Sequence, residues 1–300
     1  MKTRQDKIIQ IISNFTCILF SGIAILPLVL LVIASFTDND WATANGFSFL
    51  PQKLSLEAYR YIAVQWSKIG RAYFMTIVVT TLGVGISLIL SVLYAYAISQ
   101  KDIPGIKIFS FLLVFTMLFN GGLVSTYYCY VKLYHIKNTI WALIVPGLLM
   151  NAFEVILLRN YFVNSIPESL IEAARIDRAS EFKILTMVVL PLSKPIMATV
   201  ALMRALSYWN DWTNGLYYLS ERSGGHLYTI QNIMNNINEN IEVLRQTAAK
   251  GAAAGLGIMR MPTTTVRMAI AVIGILPLLV IYPFFQKYFV KGITLGGVKG

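Results

Sequence analysis

Apolar residues gather along this chain in long unbroken runs, with neither the strict alternation of a half-buried strand nor the striping of a surface helix. Ile8 to Thr37 and Ala72 to Gln100 carry no charge at all, and each exceeds the ~20 residues that a helix needs to cross ~30 Å of hydrocarbon. A third run reaches from Ile108 to about Tyr127, and a fourth, from about Ile140 to Leu158, contains Glu154. A fifth starts near Pro195 and ends near Leu219, interrupted by Arg204 and Asp211, and a sixth, Met268 to Gln286, lies between Arg267 and Lys287. The pattern predicts an all-α integral membrane protein with one transmembrane domain over 1–300. Its spans fall at about residues 9–36, 72–99, 108–127, 140–158, 195–219 and 268–286, with a long loop at 163–194 and another at 220–267.

Composition agrees: 56% of residues are hydrophobic and 13% charged, against ~25% charged in ordinary soluble domains. The net charge of +11 does not call for nucleic acid, because Lys and Arg in polytopic proteins collect in cytoplasmic loops and beside lipid head groups. With the N-terminus inside, the cytoplasmic segments hold 13 Lys/Arg and the external ones 11. The cytoplasmic segments are shorter in total, so the density of positive charge places both termini in the cytoplasm. A basic start (Lys2, Arg4, Lys7) precedes the first run without a small-x-small cleavage site, as in a retained signal anchor. Cys17 and Cys129 match neither each other nor His135 and His226, so no disulfide framework or metal site is expected.

The loop between spans four and five is the most informative stretch. Ser165 and Glu168 have the spacing of a reciprocal helix cap, which predicts a helix beginning at Ser165. Leu170, Ala173, Ala174 and Asp177 then recur at helical spacing, with Ile171, Glu172 and Arg175 between them, giving a short amphipathic helix. Pro191 and Pro195 bracket the turn into span five. Glu172-Ala173-Ala174, Asp177, Ala179, Leu190-Pro191 and Pro195 resemble the EAA loop of ABC importer permeases, EAA-x-x-D-G-A followed by LP-x-x-x-P. That resemblance implies a six-helix type I permease whose cytoplasmic coupling helix docks on an ATPase subunit through Glu172, Ala173, Ala174, Asp177 and Arg178. Arg178 departs from the family's glycine. Either the loop bends less sharply here, since φ > 0 suits arginine poorly, or Arg178 makes a polar contact that replaces the glycine.

The likeness extends over nearly the whole chain. Asn120-Gly121-Gly122-Leu123, Asn138 to Leu143, Arg159-Asn160-Tyr161-Phe162, Trp209-Asn210-Asp211 and the end from Lys291 to Gly300 resemble the carbohydrate-uptake branch, and within it the lipoprotein-dependent polysaccharide and complex-glycan permeases. The implied partners are a second, different permease, two ATPase subunits holding ATP and Mg, an extracellular solute-binding lipoprotein, an oligosaccharide and the lipid of a bacterial cell membrane. No cofactor is implied for this chain.

Charged groups within a span cost ~3 kcal/mol by insertion scales and usually face a cavity or a partner. Arg204, Tyr208 and Asp211 fall at i, i+4 and i+7, and Asn151 and Glu154 share a face of span four. Together with Asn210 and Trp212 they suit a passage in which aromatic faces stack on sugar C–H faces and polar groups meet hydroxyls. An interfacial aromatic belt accounts for Trp212, Tyr217 and Tyr218 equally well, and a structural ion pair does so for Glu154 and Arg204. In the loop at 220–267 a helix is expected near Leu227 to Arg245, followed by small residues from Lys250 to Gly257. In maltose-type relatives the corresponding loop reaches into the binding protein, which assigns Lys250, Gly251 and Gly255 to that contact beside the alternative of a plain flexible loop.

No G-x-x-x-x-G-K-[ST] occurs, so nucleotide is handled on other chains. A membrane-embedded glycan enzyme would need a convergent catalytic set that two ill-placed histidines and scattered carboxylates do not supply. An ion-coupled secondary transporter, with Glu154 and Asp211 as proton sites, would commonly show internal repeats, and none is found.

Overall fold

The structure is a computed structural model that describes residues 4–100, 102–237, 239 and 263–297. Among these residues it is built from helices, with a single isolated bridge between Thr37 and Leu54 and no strand. The contacts divide it into two units, one of residues 1–69 and 234–277, the other of residues 70–233 and 278–300.

In the first unit, α1 (Arg4–Ser35) is apolar on every side, and its 29-residue span from Lys7 to Ser35 is only 6% buried in its most hydrophobic window. Such a surface suits lipid or another subunit. Two short helices follow, α2 (Asn39–Asn45), capped by the Asp38 carboxylate on the amide of Trp41, and α3 (Glu57–Val64). Ser35 Oγ lies 2.8 Å from the Tyr59 hydroxyl, and the rings of Phe36 and Tyr59 stack at 4.8 Å, tying the end of α1 to α3.

Helix α4 (Trp66–Ser99) runs from the first unit into the second and, among the described residues, is the other single helix long and apolar enough to cross a membrane. After it the second unit consists of interrupted helices. The span expected over 108–127 is broken: α5 (Ile106–Leu118) ends, and α6 (Gly122–Tyr128), extended by a π-helical turn over Cys129–Leu133, departs at 119°. Gly122 makes the corner at φ +82°, where a side chain would be strained, and its amide donates to the Asn120 side chain at 2.9 Å. The span expected over 140–158 is also broken. Only α7 (Trp141–Ile144) precedes the irregular stretch around Pro146 and Gly147, and α8 (Ala152–Ser165) begins afresh beyond it. Apolar content does not register these breaks because the Asn-Gly-Gly and Pro-Gly corners are themselves uncharged.

The loop helix α9 spans Glu168–Ile176, starting three residues later than the cap at Ser165 predicts. Ser165 is the last residue of α8. Proline fixes the entry to α9 instead: Ile166 is extended (φ −99°, ψ 121°), as the residue before proline prefers, and Pro167 occupies the cap position without a side-chain bond. Next come α10 (Glu181–Ile184), a π turn over Leu185–Val189, and α11 (Leu190–Leu192). An 83° bend leads into α12 (Lys194–Trp209), with Pro195 in its first turn. The fifth expected span stops at Trp209, and α13 (Thr213–Tyr218) and α14 (Glu221–Gly224) follow. Residues 230–237 form α15, and α16 is Thr263–Gly297. The helix expected from Leu227 to Arg245 lies partly outside the described residues, as do Lys250, Gly251 and Gly255.

The core of the second unit gathers Val92, Ala95 and Ile98 of α4, Val155, Leu158 and Phe162 of α8, Ile184 and Val189, and Ile196 and Val200 of α12. A second cluster packs Val79, α7, Tyr208 and Tyr218. Tyr208 is 1% exposed, donates to the Ile144 carbonyl at 2.9 Å and lies flat against Gly83, where a Cβ would come within 2.5 Å of its ring. Gly83→Val should therefore displace the ring and destabilise the fold by about 1–3 kcal/mol, the usual cost of overpacking. A lowered melting temperature of the detergent-purified protein checks this.

Candidate functional site

Polar chemistry in the second unit concentrates in two places: the start of α8 facing α12, and the α9–α10 loop.

Asn151 caps α8, its side-chain oxygen accepting from the amides of Phe153 (2.9 Å) and Glu154 (3.4 Å). This places Glu154 in the first turn, where the free amides of the helix end favour a carboxylate. From α12, the Arg204 Nε meets that carboxylate at 2.8 and 2.7 Å, and an Nη donates to the Leu148 carbonyl at 2.7 Å. Glu154 is 2% and Arg204 4% exposed. Glu154 and Arg204 form a buried ion pair, and neither they nor Tyr208 reach open surface. Asp211 is not on the Arg204–Tyr208 stripe either, because α12 ends at Trp209. Its half-buried carboxylate accepts from the amides of Thr213 (3.2 Å) and Asn214 (3.4 Å) and starts α13. Asn151, Asn210 and Trp212 are exposed. Asn210 donates to the Leu206 carbonyl at 2.9 Å, and the Trp212 carbonyl accepts from Asn232 at 2.7 Å.

On α9, Ile171 and Ala174 pack against the core, while Glu172, Ala173, Asp177 and Arg178 are exposed. Ala174 thus faces the bundle, apart from the other four. The exposed surface also holds Leu170 (46% exposed), on the stripe read from the sequence, and Ile176 (81%), which that reading did not name. Their signal was present in the i, i+3, i+6 spacing of Leu170, Ala173 and Ile176. Phe182 and Met187 of the following arm are equally open.

Arg178 keeps the sharp bend that the family's glycine would make. Its φ is +56°, so the bend is not relaxed. The amide of Arg178 donates to the Arg175 carbonyl, and that of Ala179 to the Ala174 carbonyl, both at 3.0 Å. This is the Schellman closure of a helix, with Arg178 in the left-handed position that glycine normally fills. Ala179 then packs on the core.

Residues 60–295 match the family model of the binding-protein-dependent transport system inner membrane component, and the chain belongs to that family. It is a membrane-embedded permease subunit of an ABC importer of sugars, a transport component and not an enzyme, with the type I permease fold. It is 37% identical over 94% of its length to the polygalacturonan/rhamnogalacturonan transport system permease protein YtcP of Bacillus subtilis, covering 95% of that protein. It is 28% identical to the arabinooligosaccharides transport system permease protein AraQ of Halalkalibacterium halodurans over the full length of both chains. A chain in the crystal structure of a bacterial ABC transporter that imports the acidic polysaccharide alginate superposes with a TM-score of 0.76 at 31% identity, over 96% of this chain and 99% of that one.

Two outcomes follow for stability. Arg204→Met strands a buried carboxylate and should cost about 3–5 kcal/mol, whereas Glu154→Met with Arg204→Met should recover most of the loss; thermal unfolding of the three proteins in one detergent decides. Arg178→Gly removes about 1 kcal/mol of left-handed strain and should leave the melting temperature unchanged or raised, whereas Arg178→Val should lower it, since a β-branched residue tolerates φ > 0 least.

Proposed function

We propose that this chain forms, with a second and different permease, the passage through which an oligosaccharide delivered by an extracellular solute-binding lipoprotein enters the cell. Both termini lie in the cytoplasm, as the denser positive charge of the segments on that side favours. The chain binds no nucleotide: ATP and Mg sit on two ATPase subunits, and alternating access is driven through α9. The observation that carries this reading is the exposed face of α9, where Leu170, Ala173 and Ile176 present apolar surface flanked by Glu172, Asp177 and Arg178. An apolar centre with a charged rim is the anatomy of a docking surface, and Ala173 lets another chain approach closely. A complex glycan as cargo is supported by the pectic, arabinan and alginate importers among the similar proteins. The exposed Asn151, Asn210 and Trp212 near the ends of α8, α12 and α13 supply amide and aromatic groups for such a chain.

Glu172→Arg reverses a charge on the docking face without touching the core. It should abolish co-purification of the ATPase subunit, or leave ATP hydrolysis running without uptake. Normal uptake with the ATPase still bound would refute the docking assignment. The cargo is identified by titrating the cognate binding protein with pectic, arabinan and alginate oligosaccharides.

A further inference from the structure

We infer that Arg175 is a positioning residue that straps the coupling helix to the end of α4. Through Glu181, Tyr96 and Gln100 it passes displacement of α9 to α4 as well as to the helices adjoining α9 in sequence. The inference rests on the proposed docking of α9 and concerns a residue on its inner side.

Arg175 lies four residues after Ile171 and shares the helix face that turns to the core. Its guanidinium divides between two partners: Nε donates to Glu181 Oε1 at 3.1 Å, and an Nη donates to Gln100 Oε1 at 2.7 Å. The other Glu181 oxygen accepts from the Tyr96 hydroxyl at 2.5 Å. Tyr96 is in the last turn of α4 and Gln100 is the residue after its end, 85 and 75 positions from their partners in the chain. Two side-chain bonds thus join elements far apart in sequence, and the Arg175–Glu181 bond within the loop links the two.

Ile171 and Ala174 pack on the core, but beside them Tyr96, Gln100, Phe162, Glu168, Ile171 and Arg175 line a cavity of about 260 Å³, across which atoms are not in contact. Hydrogen bonds across its rim act in both directions. Both charges persist through neutral pH: the Tyr96 hydroxyl, and then Arg175, hold the Glu181 carboxyl below the usual carboxylate range, and the bond to Glu181 raises Arg175. With side chains 39% and 56% exposed, the ion pair adds little to stability, as surface pairs generally do. The fork geometry therefore sets position, and its loss leaves the fold standing.

The test uses the assembled transporter in lipid nanodiscs and follows hydrogen–deuterium exchange of residues 94–100, nucleotide-free and trapped with ATP and vanadate. In the native complex trapping should change exchange there roughly fivefold or more, the lower end of ordinary coupling between sites. In Arg175→Gln, and independently in Tyr96→Phe, the two states should exchange alike while the ATPase subunit still co-purifies and hydrolyses ATP. The double variant should be no worse than either single one, as for members of one network. Retention of the native difference in either variant, or its absence from the native complex, overturns the strap. Loss of the ATPase subunit from Arg175→Gln places this residue on the docking face and also overturns it. Failure of the native complex to hold an ATPase subunit strikes instead at the proposed function.

Discussion

The bond between Glu154 and Arg204 is the constraint on which the second unit depends. In hydrocarbon, apolar side chains gain little by leaving lipid for one another, so helix association rests on close packing and polar contacts. A carboxylate and a guanidinium buried to 2% and 4% exposure are each costly alone, and the state that relieves both costs is the one in which α8 and α12 stand at the observed register. The Arg204 bond to the Leu148 carbonyl extends the constraint into the irregular stretch before α8. One pair thereby fixes the start of one helix, the middle of another and the loop between α7 and α8.

Buried irregular backbone is stable only where its polar groups are met. Side chains meet them at each break. Asn120 takes the amide of Gly122, Asn151 caps α8, Asp211 starts α13, and Asn214, buried, donates to the Pro146 carbonyl at 2.9 Å. Asn232 accepts from Thr229 and donates to Trp212, and it packs so closely on Gly215 that a Cβ there would lie 2.2 Å away. The amides and carboxylates within the apolar runs are thus largely the fittings of broken helices.

What the sequence makes legible, and what it hides, follows from the same physics. Long charge-free runs announce α1 and α4 because nothing interrupts them. The corners at Gly122 and Pro146 are built from residues neutral on a hydropathy scale, so spans three and four look continuous. The stripe of Arg204, Tyr208 and Asp211 presumes an unbroken helix, and it fails at Trp209, where α12 ends. The loop motif is readable because its letters have separate tasks, small residues for approach and prolines for bends. Its cap is misread because Ser165 belongs to the preceding helix, and the proline after Ile166 decides the entry. Arg178 shows the reverse case: the family's glycine marks a left-handed turn, and the turn survives the substitution because Ala174, Arg175 and Ala179 over-determine it.

The connectivity around α9 turns these local facts into a lever. Helix α8 leads directly into α9 through extended Ile166 and Pro167, and α9 leads through the Schellman turn, α10 and the 83° bend into α12. Glu154 and Arg204 clamp α8 to α12 at the opposite end, so α8, α9 and the arm to α12 close a ring with α9 at its exposed corner. A force on that corner cannot be absorbed by separating α8 from α12 without parting a buried ion pair, which is far costlier than moving both helices together. On the proposed docking of α9, that ring would carry its displacement to α8 and α12 together, although the helices of this unit are individually broken.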